Sequence, residues 1–250
     1  MPPLSKLISR ALTFVRLLEN PAQMKLYRTG GMVPVYAAFD KPWFRALHIQ
    51  TVLDIGANDG RFALALAALL PNACIYAFEP LPEAYQRLRQ TAQRHPTQLR
   101  AIHCALGDRD GEADFLHYSF EGSSSFLRPS EMFLRTTPEH CQTEQMKVSS
   151  RRLDGLVEAG EIGIRLPLLA KLDVQGFEDQ VLLGGVNTLS QASVILIESF
   201  FQAQYVSQAM FADVYARLTA WGFRYSGSID QHSTDNGLPA WEDALFIKGT

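Results

Sequence analysis

The sequence has 250 residues, of which 47% are hydrophobic and 20% are charged, a composition typical of one large globular domain and not of a disordered chain. Its net charge of −3 is too close to balance to suggest a nucleic-acid-binding protein. Because no run of about 18 apolar residues is present, stable membrane insertion is not expected. The three cysteines lack metal-ligand spacing, and two lie in apolar segments, which favours a reducing, cytoplasmic location.

The first 45 residues are more basic than the rest of the chain. They hold seven Lys and Arg against two acids, and apolar residues within 4–18 recur at helical spacing. A basic amphipathic helix of this kind packs on its own domain or on a second copy of the chain, or it lies on a membrane surface. We therefore predict an N-terminal arm over residues 1–45, helical at first and irregular over 21–45. Residues 1–20 are the segment through which we expect the chain to form a homo-oligomer or a peripheral contact with a membrane surface.

From residue 46 to residue 250, strands and helices alternate. Strands are predicted at 52–55, 74–78, 99–105, 168–174, 193–198, 223–226 and 244–248, and helices at 61–70, 82–95, 177–183 and 207–221. The stretch "GDRDGEADFLHYS" predicts a turn and an antiparallel excursion, and residues 119–145 are the least regular part. This order predicts an α/β domain built from βαβ units around a parallel sheet.

The segment "DIGANDG" follows the first predicted strand and opens the next helix. Gly56 and Gly60 stand four residues apart there, and glycine tolerates the unusual backbone angles that such a turn requires. Glu79 follows the second strand, 23 residues after Gly56, where a doubly wound fold offers a carboxylate to ribose hydroxyls. Together these features indicate a cofactor that contains adenosine. They leave nicotinamide dinucleotides, S-adenosylmethionine and a purely structural turn open.

The charges of the turn favour S-adenosylmethionine among these. A dinucleotide fold usually has G-x-G-x-x-G, whereas Asn58 stands at the middle glycine here. Asp54 and Asp59 would repel a pyrophosphate, but the sulfonium and α-ammonium groups of S-adenosylmethionine are cations.

Six segments in order then resemble one known family, the FkbM-type methyltransferases. They are "VLDIGANDGRFALAL", "YAFEPLPEAYQRL", "ALGDRDGEADF", "SSRRLDGL", "AKLDVQGFEDQVLLGGVNTL" and "VILIES", and the match extends over about residues 50–250. The resemblance implies a class I S-adenosylmethionine-dependent methyltransferase with a Rossmann-like three-layer sandwich. Its seven-stranded sheet would be mostly parallel with an antiparallel last strand. It also implies methyl transfer to a hydroxyl of a sugar or another small hydroxylated metabolite.

The resemblance further implies which residues bind the cofactor. Glu79 would bind the ribose hydroxyls. The whole set would be Asp54, Gly56, Ala57, Asn58 and Gly60 at the methionine end, Glu79, Pro80 and Leu81 after the second strand, Ala105, Leu106 and Asp108 beside the adenine, and Asp173.

Methyl transfer to a hydroxyl requires alignment of the reacting atoms and a group that takes the hydroxyl proton. Asp173, after the fourth large strand, is the first candidate. Lys171 lies on the same strand face and either acts directly or pairs with an acid. Glu178 is a candidate too, although an acid there also suits the start of a helix. Together with Glu198, Asp173 and Glu178 also offer oxygen ligands to a divalent metal, but no histidine–carboxylate spacing requires one, and no metal ligand is assigned.

Two other functions fit the same architecture. One is an NAD(P)-dependent oxidoreductase, and the other is a non-catalytic nucleotide-binding module. The partner is expected to be a small-molecule or glycan substrate whose identity the sequence does not indicate.

Overall fold

The computed structural model describes residues 20–118, 124–136, 143–234 and 236–249. The described strands are β1 (Thr51–Ile55), β2 (Cys74–Phe78), β3 (Leu99–Ile102), β4 (Ala105–Leu106), β5 (Gly111–Tyr118), β6 (Thr143–Arg151), β7 (Leu168–Leu172), β8 (Val194–Phe200), β9 (Phe223–Ser233) and β10 (Pro239–Lys248). Seven of them form a sheet in the order β3-β2-β1-β7-β8-β10-β9. The first five strands in this order are parallel; β10 runs antiparallel to β8, and β9 runs antiparallel to β10. The predicted seven-stranded, mostly parallel sheet is therefore confirmed.

Helices cover both faces of this sheet. The described helices are α1 (Pro21–Arg28), α2 (Val33–Phe39), α3 (Pro42–Arg45), α4 (Arg61–Leu69), α5 (Pro82–Gln93), α6 (Glu131–Thr136), α7 (Leu153–Glu158), α8 (Glu178–Gly184), α9 (Val186–Leu189) and α10 (Phe211–Ala220). Alternate residues of β1 enter different hydrophobic clusters, Val52 on one side and Leu53 with Ile55 on the other. This arrangement is the predicted three-layer sandwich. Within the described ranges, no helix is long and apolar enough to cross a membrane.

The prediction that residues 21–45 are irregular is wrong. Three short helices form there, and each has a proline at its first or second position. Proline breaks a helix interior but suits a helix start, where its missing N–H is not needed. Leu26, Phe39 and Phe44 are buried in the same hydrophobic cluster as α4. The predicted helix at 4–18 and the contact segment at 1–20 fall on residues that, apart from residue 20, lie outside the described ones.

A smaller three-stranded sheet stands beside the large one, in the order β4-β6-β5. The strand predicted over 99–105 ends earlier, at Ile102. The chain next enters a sheet at β4, which pairs with β6. The predicted antiparallel excursion is β5, which pairs along its whole length with β6. The sequence does not predict β6, since most of its residues are polar.

Candidate active site

A cavity of about 420 Å³ opens at the carboxyl ends of the central strands. Ligands of open α/β sheets bind in this position, beyond the strand ends. The predicted site residues that line the cavity are Gly56, Asn58, Glu79, Pro80, Leu81, Ala105, Leu106 and Asp173. These residues come from four separate strand ends, so the fold brings most of the predicted set together.

Six predicted site residues are not part of the cavity wall, namely Asp54, Ala57, Gly60, Asp108, Lys171 and Glu178. Asp108 forms an ion pair with its neighbour Arg109, at 3.2 Å, on the surface. The others lie behind the wall or within the turn, where they support residues that do face the cavity.

The first turn is shaped by a close approach between two backbones. Gly56 has a φ of +78°, and a Cβ added to it would lie 1.9 Å from the carbonyl oxygen of Asp173. Only glycine fits at this position, because backbone atoms cannot move aside as a flexible side chain can. Gly60 also has a positive φ, and its added Cβ would lie 2.8 Å from a methyl carbon of Leu88. The positions of the two glycines therefore follow from the tight packing of the turn. The backbone of Gly56 borders the cavity.

Glu79 fastens this turn to the end of β2. One carboxylate oxygen accepts a hydrogen bond from the backbone N–H of Asn58 at 2.8 Å, and the other accepts from that of Leu81 at 2.9 Å. Burial raises the pKa of the Glu79 carboxyl to about 7, although these two N–H groups oppose the rise. The carboxylate thus holds the turn and also borders the cavity.

Lys171 is the buried cation at the centre of the site. Its Nζ donates to the Gly56 carbonyl at 2.8 Å and lies 3.2 Å from Asp173 Oδ2 and 3.4 Å from Asp54 Oδ1. Burial lowers the pKa of Lys171, but the two carboxylates outweigh burial and raise it above its usual value. Among the described residues, the oxygens of Asp54 have no hydrogen-bond partner, so the lysine charge is what compensates that buried acid.

Gln175 holds the other side of Asp173. Its Nε2 donates to Asp173 Oδ1 at 2.9 Å and to Glu198 Oε2 at 3.1 Å, and its Oε1 accepts from the Tyr205 hydroxyl at 3.0 Å. Its φ is +57°, a strained angle for a residue with a side chain. Both oxygens of the Asp173 carboxylate are therefore held in place, while 36% of its side chain remains exposed. The sequence places Gln175 after a predicted strand but does not reveal these partners.

Glu178 shapes the turn between Asp173 and α8. Its Oε1 accepts from the backbone N–H groups of Val174 at 2.8 Å and Gly176 at 3.2 Å. Burial raises the pKa of this carboxyl to about 7. Across the described ranges, no three or more His, Cys, Asp or Glu side chains are placed to hold a metal ion. The arrangement therefore gives no support to a metal held by Asp173, Glu178 and Glu198.

The far wall of the cavity comes from β5, β6 and the segment 124–126. Its residues are Phe115, His117, Ser124, Phe126, Glu144 and Met146. None of them belongs to the predicted site, although the predicted antiparallel excursion covers β5.

A family model described as the methyltransferase FkbM domain matches residues 54–225, more than half of the chain. The chain belongs to the FkbM methyltransferase family. The matched range includes every predicted cofactor-binding and catalytic residue of this FkbM-family protein. The assignment favours methyl transfer over the oxidoreductase alternative.

Curated relatives of this FkbM-family protein match it over part of their length. The 2-O-methyltransferase NoeI of Sinorhizobium fredii is 32% identical over 164 residues, which cover 63% of this chain and 66% of NoeI. The hexuronic acid methyltransferase AglP of Haloferax volcanii is 28% identical, over 58% of this chain and 54% of AglP. The 31-O-demethyl-FK506 methyltransferase FkbM of Streptomyces tacrolimicus is 29% identical, over 54% of this chain and 59% of that protein. The match thus spans roughly half to two thirds of each of these three proteins.

A solved structure supports the fold of this FkbM-family protein. The crystal structure of a methyltransferase FkbM from Methylobacillus flagellatus superposes with a TM-score of 0.52, at 14% identity, over 93% of this chain and 60% of that one. At this identity the likeness concerns the fold alone.

Proposed function

We propose that this protein is an S-adenosylmethionine-dependent O-methyltransferase that acts on a hydroxyl of a carbohydrate or another small hydroxylated metabolite. The observation that carries the proposal is one cavity bordered by the Gly56 turn, the Glu79 carboxylate and the Asp173 carboxylate. Family membership supports methyl transfer. The names of NoeI and AglP, which state 2-O-methylation and a hexuronic acid acceptor, support a hydroxyl of a carbohydrate.

The residues present fit this cofactor. Carboxylates at two strand ends give the cavity wall a negative character that suits a cation, and the backbone at Gly56 faces the cavity without a side chain. Gly56 and Asn58 would hold the methionine end, Glu79 the ribose, and the apolar residues that follow β2 and β3 the adenine. When bound, S-adenosylmethionine supplies a methyl group on a positively charged sulfur.

Asp173 is the residue that we place at the reacting hydroxyl. Lys171 and Gln175 each contact one of its oxygens, so its carboxylate keeps one orientation at the cavity surface. In that orientation it accepts a hydrogen bond from the acceptor hydroxyl and takes its proton as the new O–CH₃ bond forms. Lys171 acts through Asp173 by balancing its charge, and Glu178 acts by shaping the turn. No divalent metal is part of the proposal.

Two measurements test this function. Isothermal titration should show binding of S-adenosylhomocysteine and none of NADH. Transfer of labelled methyl from S-adenosylmethionine should then be detected on one of a panel of methyl glycosides. Asp173→Asn should leave the binding of S-adenosylhomocysteine within about threefold of wild type and lower methyl transfer by at least about a hundredfold. Binding of NADH in place of S-adenosylhomocysteine would contradict the function, and full activity of the Asp173 variant would contradict its catalytic role.

A further inference from the structure

Tyr205 lies behind the cavity wall, one side chain away from the Asp173 carboxylate. It is buried, and it is not among the described residues that line the cavity. Its hydroxyl donates to Gln175 Oε1 at 3.0 Å, and the Nε2 group of the same amide donates to Asp173 Oδ1 at 2.9 Å. Tyr205 and Asp173 are therefore connected through a single amide group.

The ring of Tyr205 is held in place by its own surroundings. Its backbone N–H donates to Gln208 Oε1, and the residue forms an isolated antiparallel bridge with Pro129. The ring centroids of Phe133 and Phe200 lie 5.7 Å and 6.4 Å from that of Tyr205. Because packed side chains in a protein interior occupy defined rotamers, the hydroxyl keeps its position independently of Gln175.

The backbone of Gln175 is held by a different residue, Ser125. Ser125 is completely buried, and its hydroxyl donates to the Gln175 carbonyl at 2.7 Å. With the backbone fixed, the motion of the Gln175 side chain that needs the least space is a half-turn of its terminal amide. The oxygen and the NH₂ group of an amide are nearly equal in size, and the last torsion of glutamine is soft.

A half-turn of this amide would disturb the Asp173 carboxylate. The amide oxygen would take the place of the NH₂ group beside Asp173 Oδ1, and two oxygens that only accept hydrogen bonds repel each other. The carboxylate would then be held by Lys171 at its other oxygen alone. The orientation of the Gln175 amide therefore determines whether Asp173 is fixed.

Tyr205 holds this orientation more firmly than Glu198, the second acceptor of the NH₂ group at 3.1 Å, does. Burial raises the pKa of Glu198 well above its usual value, which favours the protonated form. A protonated carboxyl donates to an amide oxygen as readily as it accepts from an NH₂ group. Burial also raises the pKa of Tyr205, so its hydroxyl keeps the proton that it donates to Oε1. A half-turn would break this hydrogen bond.

We propose that Tyr205 is a positioning residue for methyl transfer: its hydroxyl fixes the amide of Gln175, and that amide orients the Asp173 carboxylate towards the acceptor hydroxyl. This inference rests on the proposed function and adds to it a residue outside the cavity. Asp173 remains the group that takes the proton. A carboxylate that is free to rotate spends only part of its time in the reactive orientation, so transfer slows without a change in cofactor binding.

Tyr205→Phe tests the proposal because it removes the hydroxyl and keeps the ring. In the labelled-methyl assay with the methyl glycoside that accepts the label, kcat should fall about five- to tenfold, the loss expected for one hydrogen bond. The KM for S-adenosylmethionine and the Kd of S-adenosylhomocysteine should not change. An unchanged kcat would overturn the proposal.

The same substitution in the Gln175→Gly background tests the route. There Tyr205→Phe should have no further effect on kcat, because the amide through which it acts is gone. A second loss of the same size would show that Tyr205 acts by another route, and would overturn the proposal.

Tyr225 supplies a matched control. Its hydroxyl donates to Glu242 Oε1 at 2.8 Å, and neither residue is among the described residues that line the cavity. Tyr225→Phe makes the same chemical change and should leave kcat and KM as in wild type. An equal fall of kcat in Tyr205→Phe and Tyr225→Phe would mean that a general loss of stability slows transfer, which would overturn the positioning role.

A second measurement needs no acceptor. The side-chain NH₂ signals of Gln175 in ¹⁵N-HSQC spectra of the unliganded protein are assigned by their absence in Gln175→Gly. Their exchange with solvent should be about five- to tenfold faster in Tyr205→Phe, because one hydrogen bond that holds the amide is gone. Faster exchange without methyl transfer to any glycoside would overturn the acceptor of the proposed function and support the role of Tyr205 at the amide. Unchanged exchange would overturn that role even where transfer is seen.

Discussion

The turn after β1 and the turn after β7 lie side by side at one edge of the sheet, and they are constrained in different ways. The turn after β1 has positive φ angles at Gly56, Asn58 and Gly60, and its glycines fill spaces too small for a Cβ. The turn after β7 has a positive φ at Gln175, where side-chain hydrogen bonds hold the strained residue. Space constrains both turns, because Gly176 in the second also has a positive φ, and a Cβ added to it would lie 2.8 Å from the ring of Tyr205. In the second turn, the side chain of the strained residue Gln175 adds hydrogen bonds of its own. The limit on space is visible in the sequence as glycine, whereas the partners of these hydrogen bonds are distant in the chain.

Replacement of Gly56 by alanine should have the largest effect. Its Cβ would overlap the Asp173 backbone at 1.9 Å, and the positive φ adds strain. We expect the free energy of unfolding to fall by about 4 kcal/mol, the sum of a backbone strain and an overpacking cost. Gly30→Ala is the control, because Gly30 has a φ of +86° and nothing within 4 Å of an added Cβ. It should cost about 1 kcal/mol by urea denaturation. Equal losses would show that φ, and not space, constrains the first turn.

Lys171→Met should have the next largest effect, since Lys171 contacts both turns. The substitution leaves Asp54 buried without its cation, and removal of one partner of a buried ion pair costs about 3 kcal/mol. The double variant Lys171→Met, Asp54→Asn should recover at least about 1 kcal/mol of that loss, because position 54, which is fully buried, then carries no uncompensated charge. Urea denaturation of the two single variants and the double variant gives the coupling. If the losses of the two single variants in the free energy of unfolding simply added up in the double variant, the pairing of Lys171 with Asp54 would be contradicted.

Each turn is also held by a buried glutamate, and the two should respond differently to glutamine. Burial raises the pKa of both Glu79 and Glu178 to about 7, so unfolding is measured at pH 8, where both are mainly ionised. Glu79 uses a separate oxygen for each backbone N–H, and glutamine replaces one oxygen by an NH₂ group that cannot accept. We expect Glu79→Gln to cost about 1.5 kcal/mol. Glu178 uses one oxygen for both N–H groups, so Glu178→Gln should change stability by no more than about 0.5 kcal/mol. The reverse order would contradict these contacts.

Gln175→Gly is expected to have a smaller effect than Glu79→Gln, and its sign is the informative result. Glycine removes the strain at a φ of +57° but loses the hydrogen bonds to Asp173, Glu198 and Tyr205. If hydrogen bonds dominate, the free energy of unfolding falls by about 1 kcal/mol. A gain in stability, measured by the same urea titration, would mean that the backbone angle at Gln175 outweighs its hydrogen bonds.

The sequence predicts β1, α4 and β2 to within one residue at each end, because their apolar runs are continuous and a glycine turn or a proline separates them. The helices before residue 46 were missed, since a proline at a helix start resembles a helix breaker when the packing partner is unknown. Strand β6 was missed because its mostly polar residues become a strand only through pairing with β5.

The candidate site shows the same difference between local sequence signals and contacts that form only on folding. The residues of the Gly56 turn and Glu79 are predicted because the signal lies within two short segments. The Gln175 contacts join residues 23 and 30 positions apart, and the two sides of the β5–β6 hairpin meet only after folding. No local pattern contains that information.

The helices α1 to α3 limit how this domain can be transplanted into another protein. The family match begins at residue 54 and leaves them out, yet Phe39 and Phe44 are completely buried against the rest of the chain. The Gly30 carbonyl also accepts a hydrogen bond from the side chain of Arg61, the first residue of the helix that follows the Gly56 turn. A hybrid protein that takes only the matched segment would therefore carry an uncovered apolar face directly behind the Gly56 turn. The exchangeable unit therefore has to include α1 to α3.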